Sequence, residues 1–374
     1  MTLSLALTGC TGFFVPVNSS SGSGATTNTG DYVYVANANP SEASVAGFSI
    51  GSGTLSVVSG SPYSLTFIPT ALAVTPNNAY LYVGGTTGLY AYAIGSGGAL
   101  LLASNSGASI PVASIAISPD GNYLFALQSN VIIGTNVTPT AYSIAIDEYQ
   151  ITPSTGALTL VANPSYTTNS GAFTPQMVRV SPNGSYVVAA LGSAGDIVFT
   201  LSSGVLSSTV QVLAESTISS DNAIAFDSTS SYLYIARSGS SSGLAAYALS
   251  TGGVATQVGS SLGAAGSQPS AVVLDPTGKF AYVANRGDGT LSGFSITAGS
   301  VPSPLVTSPY SSGSQVSALG VDNSGKYLLA VSSGGSPDLD LYAFSASVNG
   351  GLNQQASATT GTDPTLPIAI ALTH

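Results

Sequence analysis

The sequence predicts an all-β chain, a seven-bladed β-propeller closed by pairing of its C-terminal strand with the N-terminal blade. Three observations carry this. One strand-turn-strand motif recurs seven times, its period suits four short strands, and the last copy stops after its first strand while the first copy lacks one.

Residues 1–10 come first. Leu3-Ser4-Leu5-Ala6-Leu7-Thr8-Gly9-Cys10 is a short apolar stretch ending in Leu-Thr-Gly-Cys, and it is similar to a bacterial lipobox with Cys10 as the lipidated residue. Residues 11–30, rich in Ser, Gly, Thr and Asn, have no hydrophobic period and are expected to form a flexible tether. No run of eighteen apolar residues follows. Residues 31–374 are expected to form the propeller.

Within that region the aromatic second strand of each copy begins at Tyr32, Tyr80, Tyr123, Tyr186, Tyr232, Phe280 and Tyr327. The sixth copy is the fullest. Ala271-Val272-Val273-Leu274 leads through Asp275-Pro276-Thr277-Gly278 into Phe280-Ala281-Tyr282-Val283-Ala284-Asn285, then Leu291 to Ile296 and Pro304 to Thr307. The turns, such as Ser118-Pro119-Asp120-Gly121 and Asp322-Asn323-Ser324-Gly325, use Pro to preset φ, Asp or Asn to bond the local backbone and Gly for positive φ. Their carboxylates are therefore expected to be turn formers. Pro367-Ile368-Ala369-Ile370-Ala371-Leu372 is expected to pair with Tyr32-Val33-Tyr34-Val35 and close the ring without a free edge. A membrane β-barrel would show longer strands alternating between polar and apolar, whereas Ile115-Ala116-Ile117 and Ile224-Ala225-Phe226 suit burial on both faces.

Composition narrows the function. Five Lys plus Arg stand against fifteen Asp plus Glu, a net charge of −10, which argues against nucleic acid as a partner. Hydrophobic residues make up 44% of the chain and charged residues 5%, so surface polarity must come from hydroxyls and amides, which suits export to the cell envelope or beyond. One Cys excludes an internal disulfide and a multi-cysteine zinc site. The sequence calls for no cofactor and no transition metal. At Asp338-Leu339-Asp340, calcium and a merely solvated strand face both remain open.

Ser118-Pro119-Asp120-Gly121-Asn122-Tyr123-Leu124, Tyr282-Val283-Ala284-Asn285-Arg286-Gly287 and Thr155-Gly156-Ala157-Leu158-Thr159 resemble the lactonase family of seven-bladed propellers. That family includes phosphogluconolactonase-like enzymes and surface-protein propellers with Tyr-Val-Thr-Asn repeats. The likeness runs from about Asp31 to the end. For the enzymes it implies a His-rich loop entering the fourth blade, an Asp after a Leu-Gly pair and an Asn-Arg-Gly segment. This chain keeps Asn285-Arg286-Gly287 and Leu191-Gly192, reads Thr174-Pro175-Gln176-Met177 at the histidine loop, and has its nearest acid, Asp196, several residues beyond the pair.

Candidate ligand-binding residues are Arg179, Arg286, Arg237, Asp196 and Glu148. Arg237 and Arg286 are expected directly after second strands, with Glu42 and Asp196 in corresponding loops on the same face. An insertion from Ser129 to Ala145 leads into Asp147-Glu148-Tyr149, and either recognition or simple decoration fits such a loop. Arg179 stands in the inner strand of blade four, where the matching positions of the other copies are expected at Ala73, Ala116, Ala225, Val273, Gly320 and Ala369. A cation there needs a carboxylate, a carbonyl or an anionic ligand, so a structural ion pair and an anion site shared with Arg286 are both open. The only imidazole is His374, which leaves Ser- or Cys-based nucleophilic catalysis without a base. Carboxylate-assisted attack of water could use Glu148 or Asp196.

The expected function is a noncatalytic cell-surface or extracellular propeller, lipid-anchored to a membrane, that binds a glycan, a protein, further copies of itself or a small anion. The alternative is a lactonase-like hydrolase of an anionic sugar lactone.

Overall fold

The computed structural model describes residues 30–105, 110–129, 132–134, 141–168, 173–213 and 218–374; Cys10 and the tether up to residue 29 lie outside them. Each of the seven aromatic anchors is the first residue of a strand, and each of those strands is second from the centre of its own antiparallel sheet. Blade four is representative, running outward as Met177–Val180, Tyr186–Ala190, Asp196–Ser202 and Val205–Leu213. Among the described residues the single helical turn is Ser96–Gly98.

No central core unites the blades. Instead, seven hydrophobic clusters lie between neighbours, one per seam, from the seam of blades one and two to that of seven and one. The second strands are buried on both faces because each contributes alternate residues to two seams. Val33 and Val35 pack toward blade seven, whereas Tyr34 and Ala36 pack toward blade two.

The anchor aromatics have a defined partner across the seam. A Cβ on Gly156 would lie 2.7 Å from the Tyr80 ring, and one on Gly350 would lie 2.6 Å from Phe280. Those turn glycines have φ of 70° and 72°, so Gly is required both by the backbone and by the close approach. Two residues into the strand, the buried hydroxyls of Tyr82 and Tyr282 donate to the carbonyls of those same glycines at 2.8 and 3.0 Å.

The turns between first and second strands follow the expected chemistry. Asp275 accepts from the backbone N–H groups of Lys279, Phe280 and Thr277 at 2.9, 2.7 and 3.1 Å. Thr75, Ser118, Ser181, Asp227 and Asp322 each accept from the first N–H of the following aromatic strand.

Ring closure repeats that bond between the two ends of the chain. Pro367–Leu372 pairs antiparallel with Tyr32–Asn37, and Tyr32 N–H donates to Thr373 Oγ1 at 2.8 Å, just as Tyr80 does to Thr75. The register shows that Ala371, opposite Tyr34, is the equivalent of Ala73 and Arg179; the alignment on Ala369 is off by two residues. Blade three also differs from expectation. Part of its insertion is strand: Ala141–Ile151 extends past the blade and pairs with Ile132–Gly134 and Ser165–Thr168.

Candidate functional site

Seven inner strands enclose a cavity of ≈ 650 Å³ on the ring axis, to which every blade contributes. Most polar groups lining it are already committed. Thr70 Oγ1 donates to Val112 O at 2.6 Å, Ser270 Oγ to Val316 O at 2.7 Å, Ser317 Oγ to Pro367 O at 2.9 Å and Asn222 Nδ2 to Pro269 O at 2.7 Å. Each bond runs from one inner strand to the next, so this belt holds blades together and leaves few groups for a ligand.

Two cations remain. Arg179 and Arg286 are the charged residues lining the cavity, and among the described residues no Asp, Glu or His joins them. In a chain of net charge −10, the axial cavity is therefore locally positive.

Arg179 is fixed by strand register opposite Val188, where other blades place Ala73, Ala116, Ala225, Val273 or Gly320. Enclosure by the inner strands lowers its pKa from the ordinary arginine value, yet a guanidinium keeps its charge at neutral pH. Among the described residues it has no ion-pair or hydrogen-bond partner. Arg286 lies just beyond the second strand of blade six, exposed at the cavity mouth, with its N–H bonded to Gln268 O. Gln268 is five residues above the Arg179 level in strand register, which puts the two backbones roughly 16 Å apart along the axis. Two long side chains can therefore approach one ligand from opposite ends.

The other candidates lie elsewhere. Arg237 is inside the strand Tyr232–Gly239, not after it, and is 5% exposed. Its Nε and Nη2 donate to Asp221 Oδ1 and Oδ2 at 2.6 and 2.8 Å, and Nη2 also reaches Tyr247 Oη at 3.2 Å. Burial opposes the charge, but Asp221 outweighs it and raises the arginine pKa. Asp196 begins a strand instead of occupying a loop and is fully buried in the same seam, where its charge acts on Tyr247. The structure thus brings Arg237 and Asp196 together, around an acid, Asp221, that inner-strand patterning hid.

Glu148 is buried between blades three and four, with both carboxylate oxygens accepting from Leu206 N–H at 3.3 Å. Burial raises its pKa and the Leu206 bond opposes that. It does not line the axial cavity. His374 is also structural, its backbone held by both ends of the Asn78 amide at 2.7 Å. In Arg286-Gly287-Asp288, Gly287 N–H and the Asp288 carboxylate both bond Ser267, so that loop is tied to its neighbour.

Chemically, the cavity offers fixed positive charge and N–H donors to an anion, or to an oxygen that becomes negative during reaction. Its described lining offers no side chain that would take a proton from water at neutral pH.

The family model described as "Lactonase, 7-bladed beta-propeller" matches residues 195–317 and 224–366. No curated protein matches the chain. Among solved structures, the fold is similar to a Lactobacillus plantarum protein at 18% identity and TM-score 0.70, covering 92% of this chain and 100% of that one. A periplasmic gluconolactonase of Pseudomonas aeruginosa is also 18% identical, with TM-score 0.69 and coverage of 92% and 99%. A 6-phosphogluconolactonase-like protein of Bacteroides uniformis is 16% identical, with TM-score 0.70 and coverage of 92% and 99%. The resemblance to lactonase-type seven-bladed propellers that the repeats carry is borne out; identities this low speak for the fold alone.

Proposed function

We propose that the protein is a lactonase-type hydrolase that takes a small anionic sugar lactone into its axial cavity. The observation that carries this reading is Arg179, an enclosed cation without a partner among the described residues, at a position where the repeat otherwise has a small or β-branched apolar residue. Arg179 is part-buried at the cavity wall, and a cation held there away from bulk water without a counter-charge is best explained by a ligand that completes it. The likeness to a periplasmic gluconolactonase supports a lactone as that ligand.

In hydrolysis, water adds to the lactone carbonyl carbon and the ring C–O bond breaks. The ring oxygen leaves as the alcohol, carrying one proton from the water, and the new carboxylic acid releases the other to solvent. Arg286 or Arg179 would stabilise the oxyanion, with the second arginine holding the substrate's own negative charge. Export and envelope anchoring through Cys10 belong to the same proposal and are supported by the lipobox-like Leu-Thr-Gly-Cys.

The test is a pH-stat assay of the purified protein across neutral and anionic sugar lactones. Saturable hydrolysis that favours the anionic substrates and is lost in both Arg179→Ala and Arg286→Ala supports the proposal. Rates equal to the uncatalysed background across the panel would refute it.

A second reading, a noncatalytic propeller for binding or self-assembly, is favoured by the rim. The seven outermost strands contain no charged residue, and they expose Val57, Leu101, Leu102 and Leu160 by half or more. Edges are normally protected by charge, so unprotected ones suit pairing with another copy. Concentration-dependent sedimentation together with an inactive lactone panel would favour it.

A further inference from the structure

We infer that the loop end of blade seven binds a hard cation of the Ca²⁺ type, held by the Asp338 carboxylate and the hydroxyls of Ser332 and Thr365. Asp338 is 1% exposed just ahead of the strand Leu339–Phe344. Its Oδ2 accepts from Thr360 N–H at 2.9 Å, while the Thr360 hydroxyl lies between it and Asn37 Oδ1, at 3.1 and 2.9 Å. Its Oδ1 is fully buried without a partner, as are Ser332 Oγ and Thr365 Oγ1.

These three oxygens belong to one neighbourhood. Ser332 stands directly across from Asp338, since Val331 pairs with Leu339 and Ser332 N–H donates to Asp338 O at 2.8 Å. Side chains directly opposite in an antiparallel pair share a face. The Thr365 hydroxyl also acts on the Asp338 carboxyl. The Thr365 hydroxyl is near enough to favour the charged carboxylate, yet none of the three buried oxygens makes a hydrogen bond of normal geometry, and a group coordinated between them would satisfy all three.

The surrounding charge selects what that group is. The Asp363 carboxylate is close enough to act on Asp338. Thr365 also lines a cavity of ≈ 480 Å³ whose wall includes Glu42 and no Lys or Arg, which gives the site an acidic approach from solvent. Carboxylate and hydroxyl oxygens without nitrogen or sulfur suit a hard cation. Thr360 and Thr365 both lie in the connector between the outer strand of blade seven, which ends at Ala358, and the closing strand, which starts at Pro367. A cation here would tie that connector to blade seven.

The experiment titrates CaCl₂ into chelator-treated protein, following heat by calorimetry and thermal midpoint in parallel. Saturable heat with a rise in Tm is expected, in the sub-millimolar to millimolar range of sites with few charged ligands. Both should be lost in Asp338→Asn, which keeps an oxygen for Thr360, and weakened in Thr365→Val. The control Asp120→Asn, in a turn on the opposite face, should respond like wild type. Absence of heat and of a Tm shift in wild type would overturn the assignment, as would an unchanged response in the variants. If Asp338→Asn fails to fold, Thr365→Val decides by the same criterion.

Discussion

Arg179 shows how a single residue can be unusual in sequence and informative in place. Strand counting marked it as a cation among small residues, and register confirms that position, but only the structure separates it from Arg237. Both arginines are buried or enclosed, yet Arg237 is neutralised by Asp221 while Arg179 faces the axial cavity unpaired among the described residues. Nothing in the spacing of Asp221 and Arg237 announces that they face each other across two strands. Replacing Arg179 by the alanine of its neighbours should therefore remove a desolvation cost, so the urea midpoint of Arg179→Ala should match or exceed wild type even as anion binding is lost. A marked fall in stability would mean that the arginine is structural. Asp31 offers a second test at this scale. Burial, followed by contact with the Asp322 carboxyl across the closure, raises its pKa to about 7. A carboxyl raised in the folded state stabilises fully below its unfolded pKa and loses that contribution as pH rises through the folded one. Wild-type Tm should accordingly decline as pH rises from the ordinary carboxylate range to about 7 and level off above it, and Asp31→Asn should flatten that decline.

The blade as an element was largely legible because its demands are local. Turn residues announced Thr75, Ser118, Ser181, Asp275 and Asp322, and each accepts the bond from the next strand that its chemistry allows. What lay beyond reading was the contact between blades, because it joins residues on different repeats. Tyr82 is the example: its hydroxyl reaches Gly156 O, 74 residues away, at 2.8 Å. Tyr82→Phe should leave that carbonyl without its donor and cost about 1–2 kcal/mol, read as a lower urea midpoint with an unchanged slope. The strand within the blade-three insertion is hidden from the sequence for a related reason. Part of what reads as a loop is a strand of eleven residues, because Ser165–Thr168 returns to pair with Tyr142–Ala145.

For the whole molecule, closure joins residues more than three hundred positions apart, and the half-repeats at the two ends are what made it readable. Thr373 takes over for Tyr32 the role that Thr75 has for Tyr80, so the last blade is built by the same hydrogen bond as the others. Removing Pro367–His374 would strip the inner strand from blade one and open its seams on both sides; the truncated chain should lose its cooperative thermal transition. The ring in turn creates the positive cavity, since Arg179 and Arg286 come from blades four and six and share a lining only when all seven inner strands surround it. The most direct measurement is a crystal structure of the protein with the open-chain sugar acid, the hydrolysis product, bound. An anionic group of that ligand hydrogen-bonded to Arg179 inside the axial cavity is the expected result, and a ligand seated on the outer loops, with Arg179 paired to a protein carboxylate, would contradict it.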